Sequence, residues 1–200
     1  MLSAAWPPEV DAQNMAATVL SIGDGDTLRV QDRGRTITVR LACIDAPEMA
    51  QSPWGQQARQ QLQALAPIGS TVALRSKATD RYGRQVAEVS RSGRTINQAL
   101  VSSGAAFVYW QYISGCDRQT YSRLENEARL KGLGVWGVNG GVQRPWDVRR
   151  ARRTGSGAAA NTPVTTPGGR RYSCSEIGSH ALADPLLRQP GQSLEQPQPL

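Results

Sequence analysis

Apolar and polar residues alternate in two blocks near the start of the chain. In residues 16–30 the apolar and β-favouring positions are Thr18, Val19, Leu20, Ile22, then Thr27, Leu28 and Val30. Between them lies Gly23-Asp24-Gly25-Asp26, a run of turn-forming residues. The spacing predicts two strands joined by a turn. Arg33-Gly34-Arg35 predicts a second turn, and Thr36-Ile37-Thr38-Val39-Arg40-Leu41 a half-buried strand. Cys43 and Ile44 continue it until Pro47 stops it, completing a β-meander. Residues 71–74 and 85–89 predict two further strands, with Asp80-Arg81-Tyr82-Gly83-Arg84 as the loop between them.

A period near 3.6 marks three helices. In 56–65, Ala58, Leu62 and Leu65 fall near one face. Residues 96–103 form a second, with Gly104 placed to end it. Asp117 is placed to cap a third that runs to Leu130, where Gly132 and Gly134 follow. Five strands and three helices in about 130 residues predict an α+β domain, a five-stranded β-barrel of the OB-fold type with packed helices.

The pattern also divides the chain. Residues 1–15 read as a flexible leader and 16–150 as the folded domain. The basic run Arg149-Arg150-Ala151-Arg152-Arg153 ends it. Residues 151–170, rich in Gly, Ala, Thr and Pro, read as a flexible linker. Residues 171–200 read as a mostly disordered tail, with one short helical piece within 171–188.

Composition narrows the function. Hydrophobic residues make up 39% of the 200, enough for a core, and the formal net charge is +7. Such a surface favours polyanions, nucleic acid first. No apolar run approaches the length of about 18 that spans a bilayer. The first 14 residues have neither a basic start nor a continuous apolar stretch, so no signal peptide is legible in them. The single histidine, His180, lies in the tail, which argues against a catalytic histidine base and against zinc sites built from His and Cys. Of the three cysteines, Cys43 sits in an apolar run and reads as a packed thiol, while a Cys116–Cys174 disulfide stays open.

Four stretches carry candidate chemistry: Asp24-Gly25-Asp26-Thr27, Arg40, Asp45-Ala46-Pro47-Glu48, and Asp80-Arg81-Tyr82-Gly83-Arg84. Each alone also reads as an ordinary turn or solvated strand residue. An EF-hand is set aside, because Arg35 falls where such a loop needs a bidentate Glu. Phosphodiester hydrolysis wants a hard cation, arginine forks on the phosphoryl oxygens and a carboxylate beside the attacking water. Asp26 and Asp45 are candidate ligands, Glu48 a candidate base, and Arg40 and Arg84 candidate forks.

These stretches, in this order, resemble the staphylococcal nuclease family. The resemblance runs from about Ala17 to Trp146, a span set by the domain pattern. It reads Ile22-x-Asp24-Gly25-Asp26-Thr27, Val39-Arg40-Leu41-x-x-Ile44-Asp45-Ala46-Pro47-Glu48, and Asp80-Arg81-Tyr82-Gly83-Arg84. It continues through Asn97-x-x-Leu100-Val101-x-x-Gly104, Gly132-Leu133-Gly134-x-Trp136 and Pro145-Trp146 with its basic run.

The resemblance implies a calcium-dependent endo- and exonuclease acting on DNA and RNA, with single strands preferred and 3′-phosphate ends left. It implies Ca2+ held by Asp26, Asp45 and the backbone carbonyl of Ala46, with Asp24 nearby. Arg40 and Arg84 would grip phosphate, and Glu48 would orient or deprotonate water. Arg81 and Tyr82 would contact a terminal phosphate, and Tyr112 and Trp110 would line the nucleotide pocket. It further implies a monomer that is secreted or periplasmic. A non-catalytic nucleic-acid-binding barrel is the alternative. Arg171-Tyr172-Ser173-Cys174-Ser175-Glu176-Ile177 resembles the start of a small calcium-binding module. The acidic loop and second cysteine of that module do not follow, so no second metal site and an unpaired Cys174 are expected.

Overall fold

Alternation makes the barrel. In the computed structural model, which describes residues 14–155, 164–165 and 171–172, β1 (Asn14–Ile22), β2 (Thr27–Asp32) and β3 (Arg35–Leu41) form the expected antiparallel meander. Val19, Leu28, Val30, Val39 and Leu41 turn inward and are buried, while their neighbours face out. β1 starts at Asn14 rather than residue 16, because Asn14 and Met15 pair with Arg75 and Leu74.

β3 does not run on through Cys43 as expected. Cys43 takes a left-handed φ of 65°, which breaks the strand, and β4 (Ile44–Asp45) begins after it. Next come α1 (Trp54–Leu65), β5 (Thr71–Thr79), β6 (Gln85–Arg91) and β7 (Arg94–Thr95). The sheet order is β3-β2-β1-β5-β6-β7, and a parallel β3–β6 pairing closes the barrel. That closure sets Val39 opposite Gln85 and Arg40 opposite Val86. It therefore brings the 80–84 loop beside the stretch that carries Arg40.

α2 (Ile96–Ser102) ends in Ser103 and Gly104, the latter at φ 69°. Its Asn97 is fully buried and stitches the helix to the barrel. Asn97 Oδ1 accepts from the Val89 N–H at 2.9 Å, and Nδ2 donates to the Ala42 carbonyl at 2.9 Å. β8 (Phe107–Val108) pairs with β4, with Asp45 opposite Phe107. α3 (Arg118–Leu130) is capped as expected, since the Asp117 carboxylate accepts from the Thr120 N–H. Leu62 of α1, Leu100 of α2 and Tyr121 of α3 fill the core against the barrel.

A fourth helix, α4 (Pro145–Arg153), lies where the sequence reading saw only a basic run closing the domain. Proline suits its first position, where the missing N–H is not needed. Residues 151–153, expected in a linker, complete its last turn. Residues up to Arg150 form one compact unit and those from Ala151 a second. In the second, β9 (Val164–Thr165) pairs with β10 (Arg171–Tyr172), so residues 171–172 are a strand rather than part of a helical piece. The leader up to residue 13, the rest of the linker and tail, Cys174 and His180 lie outside the described residues.

Cys43 is not a packed free thiol. It forms a disulfide with Cys116, its Cα 6.5 Å away and 73 residues along the chain. No spacing rule exposes that pair, because only the barrel brings the turn after β3 to the loop before α3. Among the described residues no helix is long and apolar enough to cross a membrane.

Candidate active site

The Asp24–Asp26 turn is more than a hairpin connection. Gly23 N–H bonds the Thr27 carbonyl at 2.8 Å, and Asp24 Oδ1 accepts from the Asp26 N–H at 3.2 Å. The turn thereby drives the Asp26 side chain inward, where it is 2% exposed. Its Oδ2 accepts from the Ala46 N–H at 2.7 Å, and its Oδ1 from the Thr27 hydroxyl at 3.2 Å. Arg40 pairs with Thr27 across the β2–β3 ladder, which sets its side chain beside Asp26. Its guanidinium then joins two carboxylates, Nη1 to Asp26 and Nη2 to Asp45. Asp45 is 0% exposed. Two buried carboxylates on one fork are costly to separate, because either would be left as an unpaired charge.

Glu48 follows on the same loop. Its backbone N–H donates to Gln51 Oε1 at 2.9 Å, and Gln51 Nε2 donates to the Gln143 carbonyl at 2.7 Å. Its carboxylate meets a residue that the sequence reading missed. Arg149, on α4, places Nη1 2.6 Å from Glu48 Oε1 and Nη2 2.6 Å from Asp45 Oδ2. Burial alone pulls the Arg149 guanidinium down, but hydrogen bonds and charge from Asp45 and Glu48 outweigh it and raise it above the ordinary arginine value. Trp146, one turn earlier, stacks on Tyr109 with centroids 4.9 Å apart and planes 3° from parallel. Burial and then the Asp45 charge raise the Tyr109 hydroxyl above the ordinary tyrosine value. Tyr109, Gln51 and Trp146 were also missed. Pro145-Trp146 and the basic run were visible in sequence, but nothing there says that an arginine of α4 returns to residues 45–48.

Arg84 sits apart from this cluster. Its Nε lies 2.7 Å from Asp80 Oδ2, and its guanidinium stacks over the Tyr82 ring at 5.5 Å. Arg81 donates to the Tyr82 hydroxyl at 2.7 Å and also lies over that ring. Burial raises the Asp80 carboxyl, but hydrogen bonds from Arg84 and from the Tyr82 N–H outweigh this and leave it below the ordinary value. Tyr82 is 66% exposed, so this loop presents a ring flanked by two guanidinium groups to solvent.

Tyr112 and Trp110 lie on a short 3-10 turn after β8. Tyr112 is exposed and packs edge-on to Tyr109 at 4.8 Å. Trp110 donates from its indole N–H to Glu125 Oε2 at 3.0 Å and carries Arg118 over its face. Tyr109 itself donates its backbone N–H to the Cys43 carbonyl at 2.9 Å, so the aromatic turn is fixed to the residues just before Asp45.

The fold thus joins Asp26, Arg40, Asp45, Ala46 and Glu48, with Asp24 behind Asp26. It keeps Arg81, Tyr82 and Arg84 together on a separate loop, and Trp110 and Tyr112 on an aromatic turn. The donor set suits a hard divalent cation: carboxylate oxygens of Asp26 and Asp45, held together by one guanidinium, beside the backbone of Ala46. Among the described residues no three His, Cys, Asp or Glu side chains form a closed metal cage. Two carboxylates and a carbonyl are a partial shell, with room left for water and phosphate oxygens.

Comparison with known proteins places this geometry. Residues 38–138 match the family model described as staphylococcal nuclease homologue. The chain is 40% identical over 144 residues to a micrococcal nuclease of Shigella flexneri, covering 68% of this chain and 80% of that relative. It is 35% identical over 148 residues to an uncharacterized endonuclease of Escherichia coli O157:H7, covering 74% and 92%. A similar endonuclease of Haemophilus influenzae is 37% identical over 136 residues, covering 68% and 73%.

Proposed function

The chain belongs to the staphylococcal nuclease family and is a nuclease acting on nucleic acid, and on that premise we propose calcium-dependent cleavage of DNA and RNA that leaves 3′-phosphate ends. One observation carries the reading. Two buried carboxylates, Asp26 and Asp45, share the Arg40 guanidinium, with Glu48 three residues beyond Asp45.

Asp26, Asp45 and the Ala46 carbonyl would hold the ion, and Asp24 would brace Asp26 from behind through its N–H. A bound calcium would supply positive charge where negative charge grows on the phosphoryl oxygens. Arg40 and Arg84 add guanidinium forks to those oxygens. Glu48 orients a water and accepts its proton as the water oxygen bonds phosphorus. The bond from phosphorus to the 5′ oxygen breaks, and that oxygen takes a proton from solvent.

Arg81 and Tyr82 receive a terminal phosphate, and Tyr112 and Trp110 stack on a base. Gripping backbone and stacking rings gives little sequence preference and favours unpaired strands. We place the protein, as a monomer, outside the cytoplasm in a secreted or periplasmic setting. The Cys43–Cys116 disulfide supports an oxidising compartment.

The test is degradation of single-stranded DNA with calcium, with excess EDTA, and with calcium and the Glu48→Gln variant. Cleavage is expected only from the unaltered protein with calcium, leaving 3′-phosphate ends. Full cleavage in EDTA would remove the ion from the mechanism, and full cleavage by Glu48→Gln would remove Glu48 from the proton transfer.

A further inference from the structure

Arg149 lies outside residues 38–138, the stretch that matches the family model, yet its side chain ends among the acidic residues assigned above. Nη2 is 2.6 Å from Asp45 Oδ2, while Nη1 is 3.2 Å from Asp45 Oδ1 and 2.6 Å from Glu48 Oε1. With Arg40 on Asp26 and Asp45, two guanidinium groups face three carboxylates. Asp45 has no access to solvent, so without an ion its charge depends on these two arginines.

The argument rests on the cation site proposed above. An ion that takes Asp45 as a ligand competes with Arg149 for the same oxygens and repels its charge. Arg149 then loses part of its partner at the moment the site must also receive a phosphodiester. Its planar fork fits phosphate as well as carboxylate. The helix beneath it need not move. Trp146 is stacked on Tyr109, and Gln51 holds the Gln143 carbonyl, so the base of the arm is fixed on both sides.

We propose that Arg149 is the resident counter-ion of the acidic cluster, giving up Asp45 to the incoming cation and then binding a phosphate of the substrate. It makes α4 a working part of the site, and it links ion binding to substrate binding through one side chain.

The test measures calcium binding by calorimetry on the full chain without nucleic acid, for the unaltered protein, Arg149→Gln and Arg149→Lys. Melting temperatures with EDTA and with calcium, and KM and kcat on single-stranded DNA, complete it. Arg149→Gln is expected to bind calcium about tenfold tighter, the size of an ordinary linkage between two competing charges. Its melting temperature should fall in EDTA and rise more on adding calcium than that of the unaltered protein. Its KM should rise about tenfold, with a smaller change in kcat. Arg149→Lys, which keeps the charge but not the fork, should retain the calcium affinity and share the KM defect. Arg150→Gln removes the same charge one residue away and should change calcium affinity by less than about twofold.

Calcium binding by Arg149→Gln no tighter than by the unaltered protein overturns the counter-ion role. An unchanged KM overturns the phosphate role, even if the unaltered protein cleaves DNA as proposed. If the unaltered protein binds no calcium, the cation reading falls and takes this inference with it, and the calorimetry alone separates that failure from the other two.

Discussion

Asp26 accepts the Ala46 N–H through Oδ2 at 2.7 Å, across 20 residues of chain. That bond ties the turn after β1 to the loop after β4, and it depends on Gly25. A Cβ there would lie 2.5 Å from the Ala58 Cβ and 2.7 Å from the Ala46 Cβ, closer than carbon atoms pack. Gly25→Ala is expected to destabilise the fold by about 1–3 kcal/mol, as overpacking does, and to reduce cleavage by moving Asp26 away from Ala46. Urea unfolding and calcium-dependent cleavage check the two effects; stability and activity both unchanged would contradict the contact.

Arg40 and Arg84 are expected to separate when stability and turnover are measured together. Either change to Gly should cut the cleavage rate about a hundredfold, as losing one transition-state contact does. Arg40→Gly also strips the fork from two buried carboxylates, and breaking such a buried pair costs about 3–5 kcal/mol. Arg84 pairs with Asp80 on a solvent-facing loop, so Arg84→Gly should leave the melting temperature nearly unchanged. Full activity in Arg84→Gly would mean that the loop does not reach the scissile phosphate.

The Cys43–Cys116 bond closes a loop across 73 residues and anchors the turn leading into Asp45. Replacing both cysteines with Ala should lower stability by roughly 2–4 kcal/mol. For a domain of this size that is a fall in Tm of roughly 5–15 °C. Calorimetry under oxidising and reducing conditions checks it: dithiothreitol should lower the Tm of the unaltered protein and leave that of the double variant where it is.

The 80–84 loop should respond to acid. The Asp80 carboxyl sits below its ordinary value because Arg84 and the Tyr82 N–H bind its charged form. A carboxyl lowered in the folded state stabilises above its unfolded value, about 3.9, and loses that contribution as pH falls through the folded value. Asp80→Asn should therefore be less stable than the unaltered protein near neutrality, with the gap closing below about pH 4. A gap independent of pH would show that the carboxylate's charge is not what holds the loop.

Much of this architecture is local and therefore legible in the chain. Strands in the meander follow from period-two alternation, because burying one face of a sheet needs nothing else. Asp117 caps α3 through its own neighbour Thr120, and Gly104 ends α2 by its own backbone freedom. Asp26, Arg40, Asp45, Glu48 and Arg84 stand out because hard oxygen ligands and guanidinium forks are the residue types that phosphodiester chemistry needs.

What the chain alone leaves open is every relation that crosses the barrel. Cys43 reads as one more apolar position until closure of the barrel sets it against Cys116. Arg149 reads as one of five positions in a basic run until α4 folds back and lays it on Asp45 and Glu48. Arg84 reads as a partner of Arg40, yet its nearest carboxylate is Asp80, four residues away. Periodicity and capping depend on neighbours within a turn or two, so they survive as patterns in a linear string. A disulfide over 73 residues or a guanidinium returning over 104 depends on how the sheet closes, and no local pattern records that.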